Sequence, residues 1–110
     1  MPTHTINAEA LAKLAQVRAQ YDRATLATRL KKYAMTPADF DAMLAAQGGG
    51  CAICGSPLPG GHYKSLLVDH SHSTGKVRGL LCDSCNMGLG CFKDERSLLR
   101  LAADYLDSHQ

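Results

Sequence analysis

Residues 68–86 read VDHSHSTGKVRGLLCDSCN, and the sequence CAIC lies upstream at residues 51–54. The two segments supply two Cys-x-x-Cys pairs that are separated by the 27 residues 55–81. Two residues between a pair of thiols allow a tight turn to present both sulfurs to one ion. We therefore expect a structural zinc ion, because four protein thiolates close its coordination sphere. The expected ligands are Cys51, Cys54, Cys82 and Cys85.

Redox-active or merely buried thiols are the alternatives to zinc. A redox motif uses one pair in a strand-to-helix unit, and neither pair lies on such a unit. Full disulfide pairing is excluded because there are five cysteines. The fifth, Cys91, is expected to be a small buried residue.

Composition suits one compact domain with an appended arm. The chain has 110 residues and is 45% hydrophobic, a size at which a core alone is marginal. Its net charge of +2 permits a nucleic-acid partner without requiring one. Residues 1–7 do not resemble a signal peptide, and no stretch approaches the roughly 18 apolar residues that span a bilayer. We expect a soluble, cytoplasmic protein with no membrane partner.

The first half of the chain predicts helices. A helical pattern covers residues 7–33, with a bend expected near residues 22–25. Thr36 and Pro37 are typical of a helix start, and the glycines at 48–50 are typical of a helix end. The basic residues of the first segment fit either contact with DNA or a solvated helix face; they are Arg18, Arg23, Arg29, Lys31 and Lys32.

The second half predicts a β-hairpin followed by helices. Aliphatic runs at 66–68 and 77–81, with Gly75 between them, indicate the hairpin. A short helix is expected after Cys85, and a last helix is expected to start at Asp94. The apolar face predicted for that last helix consists of Leu98, Leu99, Ala102, Tyr105 and Leu106. The fold class is therefore α+β.

Asp69, His70 and His72 cluster between the cysteine pairs, and Asn86 follows the last cysteine. Phosphodiester hydrolysis needs a base that activates water and a hard cation that neutralises charge on the phosphate. An imidazole can be that base, and Asp and Asn oxygens are ligands for such a cation. Strict strand alternation would turn Asp69 and His70 to opposite faces. We predict that the strand twists, bulges or ends there, because Ser71 begins a turn.

From about Thr36 to Leu106 the chain resembles the recombination endonuclease VII family of phage nucleases, in the His-Me finger (ββα-metal) superfamily. The resemblance rests on the two cysteine pairs, the Asp-His-Ser-His run and the asparagine after the second pair. It implies a small zinc-stabilised ββα-metal core with flanking N- and C-terminal helices. We accordingly divide the chain into a helical arm, residues 1–35, and an endonuclease domain, residues 36–110.

The same resemblance assigns roles to residues. It implies that Asp69 and the amide oxygen of Asn86 bind one magnesium ion, with manganese as an alternative. It implies that His70 is the general base and that His72 assists at the phosphate. The four paired cysteines match the zinc ligands of the family. The location would be the host cytoplasm if the chain is phage-encoded.

The predicted function is that of a magnesium-dependent DNA endonuclease. The alternatives are a zinc-stabilised nucleic-acid-binding module without catalysis and a zinc-built protein-interaction domain. Lys76 and Arg78 are candidates for substrate phosphates, and each also fits a solvated surface charge. Both duplex and branched DNA are open as substrates. Symmetric junction cleavage would need two active sites and hence a homodimer, whereas a monomeric nickase would act on duplex DNA.

Overall fold

Helices surround a two-stranded antiparallel sheet in the computed structural model, which describes residues 8, 9, 12 and 23–110. The predicted α+β class is confirmed, whereas nearly half of the helical pattern predicted over residues 7–33, including the first residue of its expected bend, lies outside the described residues. No helix in the described ranges combines the length and apolar character needed to cross a membrane. The elements in chain order are α1 (Arg23–Leu30), a 3-10 helix (Lys31–Tyr33), α2 (Pro37–Ala46), β1 (Leu67–His70), β2 (Val77–Leu81), α3 (Asp83–Cys91) and α4 (Arg96–Ser108).

Helix α2 begins where its sequence predicts. The Thr36 hydroxyl accepts a hydrogen bond from the Asp39 N–H at 3.1 Å, and the Asp39 carboxylate accepts one from the Thr36 N–H at 2.9 Å. This reciprocal pair satisfies two amides that the helix itself leaves free. Pro37, in the first turn, has no N–H to satisfy. The start of α2 is thus fixed by local chemistry.

The glycine run ends α2 as predicted. Gly48 and Gly49 have φ values of 75° and 88°, a left-handed conformation in which residues with a Cβ are strained. Their N–H groups donate to the carbonyls of Ala45 and Leu44 at 3.0 and 2.9 Å, which satisfies two carbonyls at the helix end. The chain then turns directly into Cys51.

The hairpin contains the irregularity expected beside Ser71. Asp69 pairs with Gly79, but the next residue, His70, pairs with Val77, so Arg78 has no partner across the ladder. Such a β-bulge bends the strand and re-aims side chains next to it. The predicted irregularity between Asp69 and His70 is confirmed.

The core lies between α1, α2 and the hairpin. Leu26 and Leu30 of α1 are 4% and 0% exposed, so the described end of the predicted arm packs into this core. The arm and domain boundary at residue 35 stays a prediction. The buried apolar cluster consists of Leu26, Leu30, Phe40, Leu44, Cys51, Leu66, Val68, Leu80, Leu81 and Cys82.

Three details of the C-terminal helices differ from the predictions. Helix α3 begins at Asp83, before Cys85, because the Cys82 sulfur accepts from the Cys85 N–H at 3.4 Å and caps the helix. The last helix begins at Arg96, two residues after the predicted start, since Asp94 has a left-handed φ of 56°. Cys91 is exposed, so its predicted burial was wrong; it lies on the solvent side of the last turn of α3.

Helix α4 has the predicted amphipathic pattern without burying it. None of its residues falls in the buried class. Leu98 is 40% exposed, and Leu101, Tyr105 and Leu106 are 60–62% exposed. The helix therefore contributes little to the core formed by the described residues.

Gln47, which caps the C-terminus of α2, joins that helix to β2. Its Oε1 accepts from the Leu80 N–H at 2.8 Å, and its Nε2 donates to the carbonyls of Leu80 and Gly50 at 3.0 and 2.9 Å. The Ala52 N–H donates to the same Leu80 carbonyl at 3.0 Å. The Gln47 amide thus makes the hydrogen bonds to β2 that a neighbouring strand would otherwise make. The Leu80 carbonyl also binds the N–H of Ala52, which holds the first cysteine pair next to β2.

We predict that Gln47→Ala lowers the free energy of unfolding by about 2–3 kcal/mol, because it leaves the backbone N–H of fully buried Leu80 without this acceptor. Denaturant unfolding at fixed metal content measures the change. Gln110→Ala is the matched control, since Gln110 also bonds to a carbonyl, that of Leu106 at 3.0 Å, but is exposed. A Gln47 variant no less stable than the Gln110 variant would contradict this role.

Candidate active site and metal centre

Four cysteine sulfurs form a compact cluster. They belong to Cys51, Cys54, Cys82 and Cys85, and all lie within 4.8 Å of one another. The sulfurs of Cys54 and Cys82 are 3.6 Å apart, close to the roughly 3.8 Å expected for two ligands of a tetrahedral zinc ion. The cluster could therefore hold a zinc ion, as the spacing predicted.

The thiols of this cluster do not ionise equally on their own. Burial raises the pKa of Cys82 and, together with neighbouring thiols, that of Cys85. Burial also acts to raise the pKa of Cys51, but hydrogen bonds with backbone groups outweigh it and lower that pKa to about 7. A bound divalent cation would favour the thiolate form of all four. The four sulfurs thus suit a bound cation, because the surrounding backbone lowers the pKa of Cys51 but does not keep those of Cys82 and Cys85 from rising.

A second site is an open cleft of about 450 Å³ between the hairpin, the 3-10 helix and α3. The four residues predicted for catalysis, Asp69, His70, His72 and Asn86, all line it. They come from β1, the hairpin turn and α3, so the fold brings together what the sequence separates by up to 17 residues (69 to 86). The other lining residues are Arg29, Lys32, Tyr33, Tyr63, Leu67, Val68, Gly90 and Asp94.

Aromatic rings surround His70 in this cleft. The ring centroids of His70 and His72 are 5.2 Å apart, and those of His70 and Tyr33 are 5.6 Å apart. Lys32 Nζ lies 5.2 Å from the centroid of the Tyr33 ring, within cation–π range. His70 is partly buried, whereas the His72 side chain is 78% exposed. Of the two histidines, His70 is held more tightly by its surroundings.

Asp69 is the buried charged residue of the described chain, at 9% exposure. Its two oxygens accept from Nε and Nη2 of Arg78 at 2.7 and 2.8 Å. This fork-shaped pair raises the pKa of Arg78, with the hydrogen bond to Asp69 as the largest cause. Arg78, predicted as a phosphate contact, is thus already bound to the carboxylate predicted to hold a cation. Lys76 is exposed in the hairpin, outside the lining of the cleft.

Asn86 lies one turn into α3. Its N–H donates to the carbonyl of Cys82 at 3.0 Å, and Cys85 precedes it. The last two cysteines and Asn86 therefore belong to one rigid helical turn. Whatever fixes Cys82 and Cys85 also fixes the backbone that carries the Asn86 amide.

Asp94 and Tyr33 line the cleft although the sequence did not mark them as site residues. Oδ2 of Asp94 lies 3.3 Å from Nη2 of Arg78 and 3.8 Å from Nε2 of His72. In the sequence Asp94 looked like the start of a helix, and Tyr33 is the last residue of the helical pattern predicted over residues 7–33. Both contacts are tertiary, so no local pattern predicted them.

Comparison with known proteins gives a consistent result. A sequence model described as recombination endonuclease VII matches residues 27–108. The Gene 59 proteins of Mycobacterium phages D29 and L5 are 45% and 41% identical to this chain over 78 residues, which cover 70% of it. The chain spans about half the length of these curated relatives, since the match covers 46% of each. No solved structure matches. On the family match, with the cysteine cluster and the cleft already described, the chain belongs to the recombination endonuclease VII family.

Proposed function

We propose that this chain is a metal-dependent DNA endonuclease whose active site is the cleft lined by Asp69, His70, His72 and Asn86. Family membership supports a nuclease, and hence a DNA substrate. The observation that carries the proposal is the meeting of an acid, an imidazole and an amide in one open cleft. These are the groups that metal-assisted phosphodiester hydrolysis requires.

The donors in the cleft fit a hard divalent cation. Asp69 and Asn86 offer a carboxylate and an amide oxygen, the ligand types that magnesium and manganese accept. Such a cation, when bound, neutralises charge on the phosphate and on the leaving oxygen. We assign Asp69 and Asn86 to hold it.

His70 is the proposed general base. Its imidazole accepts a proton from the attacking water while the P–O3′ bond breaks, and the leaving 3′ oxygen takes a proton from solvent, which gives a 5′-phosphate and a 3′-hydroxyl. The rings of Tyr33 and His72 lie beside the His70 imidazole and restrict its rotation. A base held in one orientation is more effective than one that rotates freely. His72, more exposed, is assigned to the phosphate.

Basic side chains supply the proposed contacts to the DNA backbone. Lys32 lies on the rim of the cleft, and Lys76 is exposed in the adjoining hairpin. Arg78 is 39% exposed, so its guanidinium can reach a phosphate while it stays near Asp69. Contacts of this type add affinity without sequence preference.

The cysteine cluster is proposed to hold a structural zinc ion. Its sulfurs are close enough for tetrahedral coordination, and four protein ligands leave no open position for substrate. The role of the zinc is then to fix the first turn of α3. Asn86 depends on that turn for its place in the cleft.

A zinc-stabilised nucleic-acid-binding module without catalysis is the alternative. It would use the same basic rim, but it gives no role to the His70 imidazole and the Asn86 amide that meet the Asp69 carboxylate in one cleft. This feature favours the endonuclease.

We predict that the zinc-loaded chain nicks plasmid DNA with magnesium and not with EDTA, and that His70→Ala slows cleavage about a hundredfold or more. Asp69→Asn, which keeps the side-chain shape, is expected to be similarly slow. Gel assays measure the rates, and circular dichroism checks folding. His109→Ala, at the C-terminus of α4, is the control and should cut normally. Full cleavage by His70→Ala would rule out its role as base.

We predict that Cys54→Ser removes zinc and unfolds the chain, since structural zinc contributes roughly 10–16 kcal/mol of binding energy. Cys91→Ser, an exposed cysteine outside the cluster, is the matched control and should keep zinc and fold. Elemental analysis and circular dichroism report both properties. Equal zinc content in the two variants would contradict the assignment.

The preferred DNA and the oligomeric state are further proposals. The family description supports branched DNA, and the phage origin of the relatives supports the host cytoplasm as the place of action. Symmetric cleavage of a junction needs two active sites, so we propose a homodimer for that reaction.

Cleavage of a four-way junction and of a matched linear duplex, beside the solution mass from sedimentation, tests this proposal. We expect faster junction cleavage and twice the chain mass. A chain of single mass that nicks both DNAs equally would instead identify a monomeric nickase.

A further inference from the structure

Asp94 reaches the cleft from the turn between α3 and α4. Its Oδ2 faces both Nη2 of Arg78, at 3.3 Å, and Nε2 of His72, at 3.8 Å. The Asp94 side chain is 23% exposed, so water screens these contacts only in part. One carboxylate oxygen from outside the hairpin thus contacts two hairpin side chains.

The backbone around Asp94 is held in an unfavourable conformation. Lys93 and Asp94 have φ values of 58° and 56°, a region in which residues with a Cβ are disfavoured. Their N–H groups donate to the carbonyls of Gly90 and Leu89, both at 2.9 Å. Consecutive strained residues persist only when their surroundings hold them. The carboxylate contact with Arg78 is one such restraint.

Arg78 is bound to the Asp69 carboxylate, which a cation at the proposed site would need. Its guanidinium bonds to both oxygens of Asp69, at 2.7 and 2.8 Å. A cation bound by Asp69 must therefore share an oxygen with Arg78 or displace it. A displaced guanidinium loses strong charge-assisted bonds unless another anion receives it. Asp94 already contacts that guanidinium and can receive it.

We propose that Asp94 is a positioning residue that retains Arg78 when Asp69 binds the divalent cation. The inference rests on the proposed cation site at Asp69. Asp94 acts through Arg78, and it needs no bond to the cation itself. Removal of the Asp94 carboxylate therefore weakens cation binding only while Arg78 is present to compete for Asp69.

A double-mutant cycle tests this inference on the full, zinc-loaded chain without DNA. Manganese binding is measured by calorimetry for the wild type, Asp94→Asn, Arg78→Gln and the double variant. We expect Asp94→Asn to weaken binding about tenfold and Arg78→Gln to tighten it. The double variant should bind within about twofold of Arg78→Gln alone. Asp104→Asn, on α4, is the control for loss of a distant negative charge and should bind as the wild type does.

The other outcomes overturn the inference. An equal loss from Asp94→Asn in both backgrounds would make Asp94 a direct ligand or a simple charge, and no loss in either would give it no role. Wild-type binding no tighter than that of Asp69→Asn would overturn the proposed cation site as well. Should Asp94→Asn not fold, Asp94→Ser completes the same cycle.

Discussion

Sulfur atoms from two distant parts of the chain converge on one point, and the geometry of the described fold depends on this convergence. Cys51 and Cys54 follow the glycine end of α2, and Cys82 and Cys85 open α3. The β-hairpin lies between the pairs, and its second strand ends directly before Cys82. In a chain of this size the apolar core is too small to fix such loops alone. The cluster therefore determines where the hairpin and α3 meet.

The β-bulge lies where the side chains of the hairpin enter the cleft. A regular ladder would turn Asp69 and His70 to opposite faces. The ladder shifts register between these two residues, where Arg78 of β2 has no partner, and both side chains line one cleft. The same residue supplies the guanidinium that neutralises Asp69. The unpaired residue at the register shift thus also provides the counter-ion that the buried carboxylate requires.

Local chemistry explains which parts of the fold were predictable from sequence. The helix start at Thr36 and Pro37, the helix end at the glycines 48–50 and the two cysteine pairs depend on near neighbours, and the sequence predicted each of them. Asp94 was assigned to a helix because its local pattern resembles a helix start. Its left-handed backbone accompanies hydrogen bonds to the end of α3, whereas its bond to Arg78 is a tertiary contact, which no local pattern encodes.

The same distinction between local and tertiary contacts applies to the candidate site. That Asp69, His70, His72 and Asn86 would meet in one cleft was predictable because their residue types and order match one kind of chemistry, while their catalytic roles stay predictions. The ion pair between Arg78 and Asp69 was not predictable, because a charged residue near a turn fits a solvated surface equally well. Burial makes the difference, because an acid as buried as Asp69 is costly without a partner.

That burial places a constraint on any cation site built around Asp69. The carboxylate needs a positive partner whether or not a metal is bound, yet a permanent partner would block the metal. A guanidinium shared between two acids meets both conditions, since its bonds to Asp69 can weaken while its bond to Asp94 persists. Because the Arg78 side chain is partly exposed, it can also contact a phosphate. An arginine between two carboxylates thus suits a site whose buried acid needs a cationic partner at rest and must still be open to a divalent ion.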